Sequence, residues 1–180
     1  AMERLQSLRE TGIPRLIEAL RAHPFFGPYV DPIHVALGEL LGDTERAKMV
    51  YAIPDFQNPS GRCWSRERRE RVVAVAARHG VPVVEDAPYS ELRFAGEPLP
   101  SLKSFDQRGT VIHLGTFSKI LSPGLRLAWV VAPGWFAKPL NILKSSADLH
   151  TSTFTQMVAA EYLAGADLDA HLARIREIYR

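Results

Sequence analysis

Apolar residues at the start of the chain recur at helical spacing. Leu5, Leu8, Ile13, Leu16, Ile17 and Leu20 share one face, which predicts helix from Met2 to Ala22, divided at Gly12 and Pro14. Residues 23–32 are rich in proline, glycine and aromatics and predict a loop, and a short helix is expected from Pro32 to Leu41, closed by Gly42. The period then changes. Lys48–Ile53 reads as a strand stopped by Pro54. Ser65 is expected to cap a helix running to His79, with Gly80 at its end and Glu67–Arg71 as its solvated first half. Val81–Glu85, Thr110–Leu114 and Leu127–Val131 are apolar runs without clean alternation, as in strands buried on both faces. Trp135–Ala147, Phe154–Leu163 and Leu168–Tyr179 read as helices, and helical character persists to Arg180. The expected fold class is α/β, a mostly parallel sheet flanked by helices. Three parts follow: an N-terminal helical and loop segment (1–47), an α/β core (48–135), and helices leading out of it (136–180).

The polar residues of interest follow the strands, where open parallel sheets bind ligands. Asn58 follows the first strand; Asp86 and Tyr89 follow the second; Thr116, Ser118 and Lys119 follow the third, and Arg126 comes seven residues after Lys119. Each has an ordinary reading alone: a turn asparagine, a capping carboxylate, a core tyrosine, a Ser/Thr turn, a surface lysine and a surface arginine. As a set they suit a ligand carrying an aldehyde and a phosphate, which pyridoxal phosphate does. Lys119 supplies an amine for imine formation. Thr116, Ser118 and Arg126 offer hydroxyls and a forked guanidinium to a phosphate. Asp86 can keep a pyridine nitrogen protonated, and Tyr89 and Asn58 can hydrogen-bond a ring hydroxyl. Strand alternation points Glu85 away from Asp86.

Three segments carry a family resemblance: Pro54-Asp55-Phe56-Gln57-Asn58-Pro59-Ser60-Gly61, Val84-Glu85-Asp86-Ala87-Pro88-Tyr89-Ser90-Glu91-Leu92, and Gly115-Thr116-Phe117-Ser118-Lys119 with Pro123-Gly124-Leu125-Arg126. Together they resemble the fold-type I pyridoxal phosphate enzymes, class I/II aminotransferases of the 2-aminoadipate and kynurenine branch. The resemblance runs from about Met49 to Arg180. It implies Lys119 as the Schiff-base lysine, Asp86 as the pyridine-nitrogen partner, Tyr89 and Asn58 on the ring hydroxyl, and Thr116, Ser118 and Arg126 in the phosphate site. It also implies transfer of an amino group between a 2-amino acid and a 2-oxo acid, a homodimer, and a loop at 147–151 near the dimer interface. Thr116 stands where serine is more usual, and Ala87-Pro88 replaces an acidic or small pair. The family's Gly-Ser/Thr-rich phosphate turn and its ring-stacking aromatic find no match in residues 1–48, so the chain resembles the central part of such an enzyme. Three alternatives share these motifs: the aminotransferase-like cofactor domain of a transcription regulator, a non-catalytic fragment of the enzyme, and another reaction on the same scaffold, such as decarboxylation or oxidation.

Composition narrows the choice further. The chain has 180 residues, 46% hydrophobic and 23% charged, with a net charge of +2. This is ordinary for a globular domain and gives no basis for nucleic-acid binding. Five of the 22 basic residues are lysines, so few amines compete with Lys119. One cysteine excludes an internal disulfide framework and a multi-cysteine metal site. No apolar run reaches the ~20 residues of a membrane span, no signal segment is visible at the N-terminus, and a cytoplasmic protein is expected.

Overall fold

The computed structural model describes residues 48–180; the helices and loop expected between residues 2 and 41 lie outside that range. Four strands form one sheet in the order β1 (Val50–Ala52), β2 (Val83–Asp86), β3 (Val111–Thr116) and β4 (Ala128–Val131). β1, β2 and β3 are parallel neighbours, and β4 runs antiparallel to β3. The mostly parallel α/β sheet expected from the apolar runs is therefore present. β3 runs two residues further than its apolar run, because Gly115 pairs with Trp129 and Thr116 with Ala128. Thr116 is thus the last strand residue and not the first turn residue.

The crossover between β1 and β2 is the helix α1 (Arg66–His79). Its ends are set locally. The Ser65 hydroxyl accepts the Arg68 amide at 3.3 Å, and Gly80 closes the helix in the left-handed region at φ 64°. Val72, Val73 and Ala76 form its buried face. Val73 and Ala76 join Ala52, Val83, Leu102 and Val111 in one core, with Val50, Trp64 and Phe105 packed against it. The expected solvated first half of α1 is corrected at one position. Arg69 has no exposed surface, because a carboxylate outside the helix, Asp55, neutralises it.

The connection from β2 to β3 contains two short 3-10 turns, Ser90–Leu92 and Leu102–Phe105, and no α-helix. Two carboxylates hold it. Glu85, fully buried, accepts the amides of Leu102 (2.7 Å) and Lys103 (3.0 Å) and lies 2.9 Å from His113 Nδ1. Asp106 accepts the amides of Thr110 and Val111, each at 2.9 Å, and pairs with Lys103 at 2.9 Å. Burial opposes its ionisation, but the Lys103 ammonium and these amides outweigh burial and hold the carboxyl well below its usual range.

Beyond β4 come three helices, α2 (Gly134–Asp148), α3 (Thr153–Gly165) and α4 (Leu168–Tyr179). The expectation that the sheet is covered on both faces fails for β4, whose four residues are all exposed among the described residues. Ile142, Leu143, Leu149, Phe154 and Met157 are likewise exposed. No helix among the described residues is long and apolar enough to cross a membrane.

Candidate active site

The three parallel strands end at one edge of the sheet, at Ala52, Asp86 and Thr116, and β4 starts from that same edge. The topology therefore delivers all seven expected site residues to one edge. Asn58 lies in the turn after β1, Asp86 closes β2, and Tyr89 opens the 3-10 turn behind it. Thr116 closes β3, Ser118 and Lys119 lie in the next turn, and Arg126 stands two residues before β4.

The Lys119 turn is anchored from within. The Phe117 amide donates to Leu127 O at 3.1 Å, and the Leu121 amide donates to Phe117 O at 2.8 Å. Thr116 Oγ1 donates to Leu127 O at 3.2 Å and accepts the Ser118 amide at 3.1 Å. Ile120 is buried, and its carbonyl lies 3.1 Å from Nε2 of His171 on α4. Gly115 is required just before the turn: a Cβ there would lie 2.1 Å from Cε2 of Trp129. That indole packs on Phe117 with ring centroids 4.9 Å apart. Lys119 itself is exposed, and within the described residues its ammonium has no hydrogen bond or ion pair. Arg126 adopts a left-handed conformation, φ 54°, and donates one long bond of 3.4 Å to Pro123 O, leaving most of its guanidinium without a hydrogen bond among the described residues.

On the other side of the edge, the Tyr51 hydroxyl donates to Oδ2 of Asp86. That hydrogen bond, with added burial and the negative charge of Asp86, pushes the Tyr51 phenol up to about 12, so the donor stays protonated at neutral pH. Asn58 is exposed at a cis Asn58–Pro59 bond; its carbonyl accepts the Gln57 side-chain amide, and its own amide group has no partner among the described residues. The hydroxyls of Tyr89 and Ser118 have none there either.

A buried charge cluster joins the turns of Asn58 and Tyr89. Asp55 accepts from Arg69 Nη2 (2.7 Å) and Nη1 (3.1 Å), from Arg93 Nη2 (2.8 Å) and from Ser90 Oγ (3.1 Å). Arg69 directs its remaining donors to the carbonyls of Trp64 (3.2 Å), Pro100 (3.0 Å) and Pro54 (3.1 Å). Sequence reasoning missed Tyr51 and this cluster. Tyr51 sits in a strand of mixed character, and Arg69 sits among exposed charges; neither pattern signals a partner distant in the chain. The one available hint was Asp55 itself, a carboxylate directly after a strand and inside an otherwise apolar and turn-forming segment.

Residues 13–180 match the family model for aminotransferase class I and II. An aromatic-amino-acid aminotransferase of Thermococcus litoralis is 41% identical over 179 residues, covering 93% of this chain and 43% of that protein. The crystal structure of Pyrococcus horikoshii kynurenine aminotransferase in complex with PMP superposes with a TM-score of 0.78 at 41% identity, over 85% of this chain and 38% of that one. A transcriptional regulator of the HTH type, NorG of Staphylococcus aureus, is 33% identical over 133 residues, covering 74% of this chain and 30% of the regulator. The chain thus spans about two fifths of the length of the aminotransferases it matches. The family model covers most of the chain and the solved structures share its fold: the chain belongs to the class I and II aminotransferases, of fold type I.

Proposed function

We propose that this chain carries the cofactor-binding part of a pyridoxal phosphate-dependent aminotransferase that moves an amino group between a 2-amino acid and a 2-oxo acid. The observation that carries the reading is the Lys119 ammonium, without a partner among the described residues, on an anchored turn at the sheet edge after which Asn58, Asp86, Tyr89, Ser118 and Arg126 also follow in the chain. The donor set fits the cofactor. Ser118 and Arg126 would hold its phosphate, with Thr116 shaping the turn and adding its hydroxyl on rotation from Leu127 O. Asp86 would face the pyridine nitrogen, and Asn58 and Tyr89 the ring hydroxyl. When bound, the cofactor supplies a carbonyl for the Lys119 amine and a ring that takes up charge.

The chain's own residues supply the rest. Lys119, once its amine is free, would take a proton from the substrate alpha carbon and deliver it to the cofactor's former aldehyde carbon. Tyr51 fixes the orientation of the Asp86 carboxylate. Residues 48–135 form the cofactor-binding core in this reading, with 136–180 leading out of it. A homodimer in the cytoplasm completes the proposal. The exposed Leu149 and Phe154, beside the 147–151 loop, support such an interface.

The similarity to NorG favours a second reading, a cofactor-binding sensor domain without turnover. One experiment separates the two. The protein is loaded with pyridoxal phosphate, and its visible absorbance is followed on addition of aromatic, kynurenine and 2-aminoadipate donors. An aminotransferase converts the visible band, and adding a 2-oxo acid restores it. A sensor keeps the band unchanged. Lys119→Ala should lose the borohydride-reducible band altogether, and its persistence there would remove Lys119 from its role.

A further inference from the structure

The most heavily bonded carboxylate at this edge, Asp55, lies just outside the seven expected site residues. It is 3% exposed, and Arg69 beside it is 0% exposed. We infer that Asp55 is a positioning residue that couples the turn of Asn58 to the turn of Tyr89, and that Ser90 transmits the coupling. The inference rests on the reading of Asn58 and Tyr89 given above.

Three observations support it. Asp55 stands three residues before Asn58, and Ser90, whose hydroxyl it accepts at 3.1 Å, directly follows Tyr89. The side-chain ends of Asn58 and Tyr89 have no bonds within the described residues, so their backbone turns set their aim. The cluster joins those turns: Arg93 donates to Asp55 at 2.8 Å while its guanidinium lies 4.8 Å from the ring of Phe56, which stands between Asp55 and Asn58 in the chain. A second point is electrostatic. One carboxylate between two guanidiniums leaves a net positive charge beside the side of the edge that would face an anionic ring oxygen. Stability alone does not call for ions here, since apolar residues of equal volume serve a buried site as well or better. What the forked guanidinium adds is a fixed geometry between segments distant in the chain.

The test uses the full chain loaded with pyridoxal phosphate, titrating its visible absorbance against pH in the wild type, Tyr89→Phe, Ser90→Ala, Ser90→Thr and the Tyr89→Phe/Ser90→Ala double variant. Losing a donor to an anionic oxygen raises the midpoint of the imine proton, by about one pKa unit for Tyr89→Phe. Ser90→Ala should produce part of that rise, Ser90→Thr should restore the wild-type value, and the double variant should match Tyr89→Phe alone. A lower melting temperature without a shift, or an equal added shift in both backgrounds, would overturn the coupling. If Tyr89→Phe moves nothing, or no visible band forms, the Tyr89 or cofactor assignment falls. The coupling is then decided by amide exchange in the cofactor-free protein. Faster exchange in both 56–63 and 89–93 on Ser90→Ala sustains it, and a change confined to 89–93 overturns it.

Discussion

At the β1–β2 end of the edge, Asp55 and Arg69 are sealed from solvent, and every donor of Arg69 is used. At the β3–β4 end, Lys119 and Arg126 are exposed, the Lys119 ammonium has no partner among the described residues, and the turn is held by apolar packing, backbone bonds and the side chains of Thr116 and His171. The first region gains geometry from paired charges and the second keeps its charges available. A group that must react or grip a ligand cannot also be saturated by its own fold. The difference therefore separates residues that aim the site from residues that act in it.

The largest test of that division is Arg69→Ala. It leaves the buried Asp55 carboxylate without its forked partner and strands three carbonyls, so unfolding stability should fall by about 3–5 kcal/mol. Denaturant titration reads this directly, and a loss below about 1 kcal/mol would mean that the cluster is hydrated like a surface pair. Next comes Gly115→Ala. The new methyl must displace Trp129 from Phe117, which costs about 1–3 kcal/mol and loosens the Lys119 turn. Near-ultraviolet circular dichroism of the tryptophan should change with it, and an unchanged spectrum would show that the ring is not seated there.

Asp106→Asn should cost about 1–3 kcal/mol at neutral pH, since the carboxylate serves a lysine, three amides and the Thr110 hydroxyl. Its pH dependence has a definite sign. A depressed folded-state value means that the stabilisation is complete above the ordinary carboxylate range and is lost as pH falls below about 4. The wild type should therefore lose stability on acidification faster than Asp106→Asn, and parallel pH curves would refute the assignment. The smallest effect belongs to Lys119→Ala. With no partner to lose among the described residues, it should change stability by less than about 0.5 kcal/mol while removing the cofactor band. A clear destabilisation would mean that Lys119 is held by the fold after all.

Much of this was legible in the chain because it depends on neighbours. Ser65 and Gly80 bound α1 as expected, since capping involves residues within one turn. The strand runs, and the order in which Asn58, Asp86, Tyr89, Lys119 and Arg126 follow them, could be read from period and punctuation. Glu85 and Asp86 fall on opposite sides, one buried and one at the edge, because a strand alternates. Arg69 could not be read in this way. The heptapeptide Arg66–Val72 holds four arginines and two glutamates, and nothing local distinguishes the one that turns inward.

The sequence by itself thus determined the element types, their caps, and the chemical groups that arrive after each strand, because propensity and periodicity act over a few residues. Only the tertiary structure decided the antiparallel direction of β4, the hydroxyl of Tyr51 on Asp86, and the meeting of Asp55 with Arg69, Ser90 and Arg93. These pairs are separated by 14 to 38 residues along the chain. Their energies arise from burial and hydrogen-bond geometry, which exist only once the sheet has brought distant segments within reach.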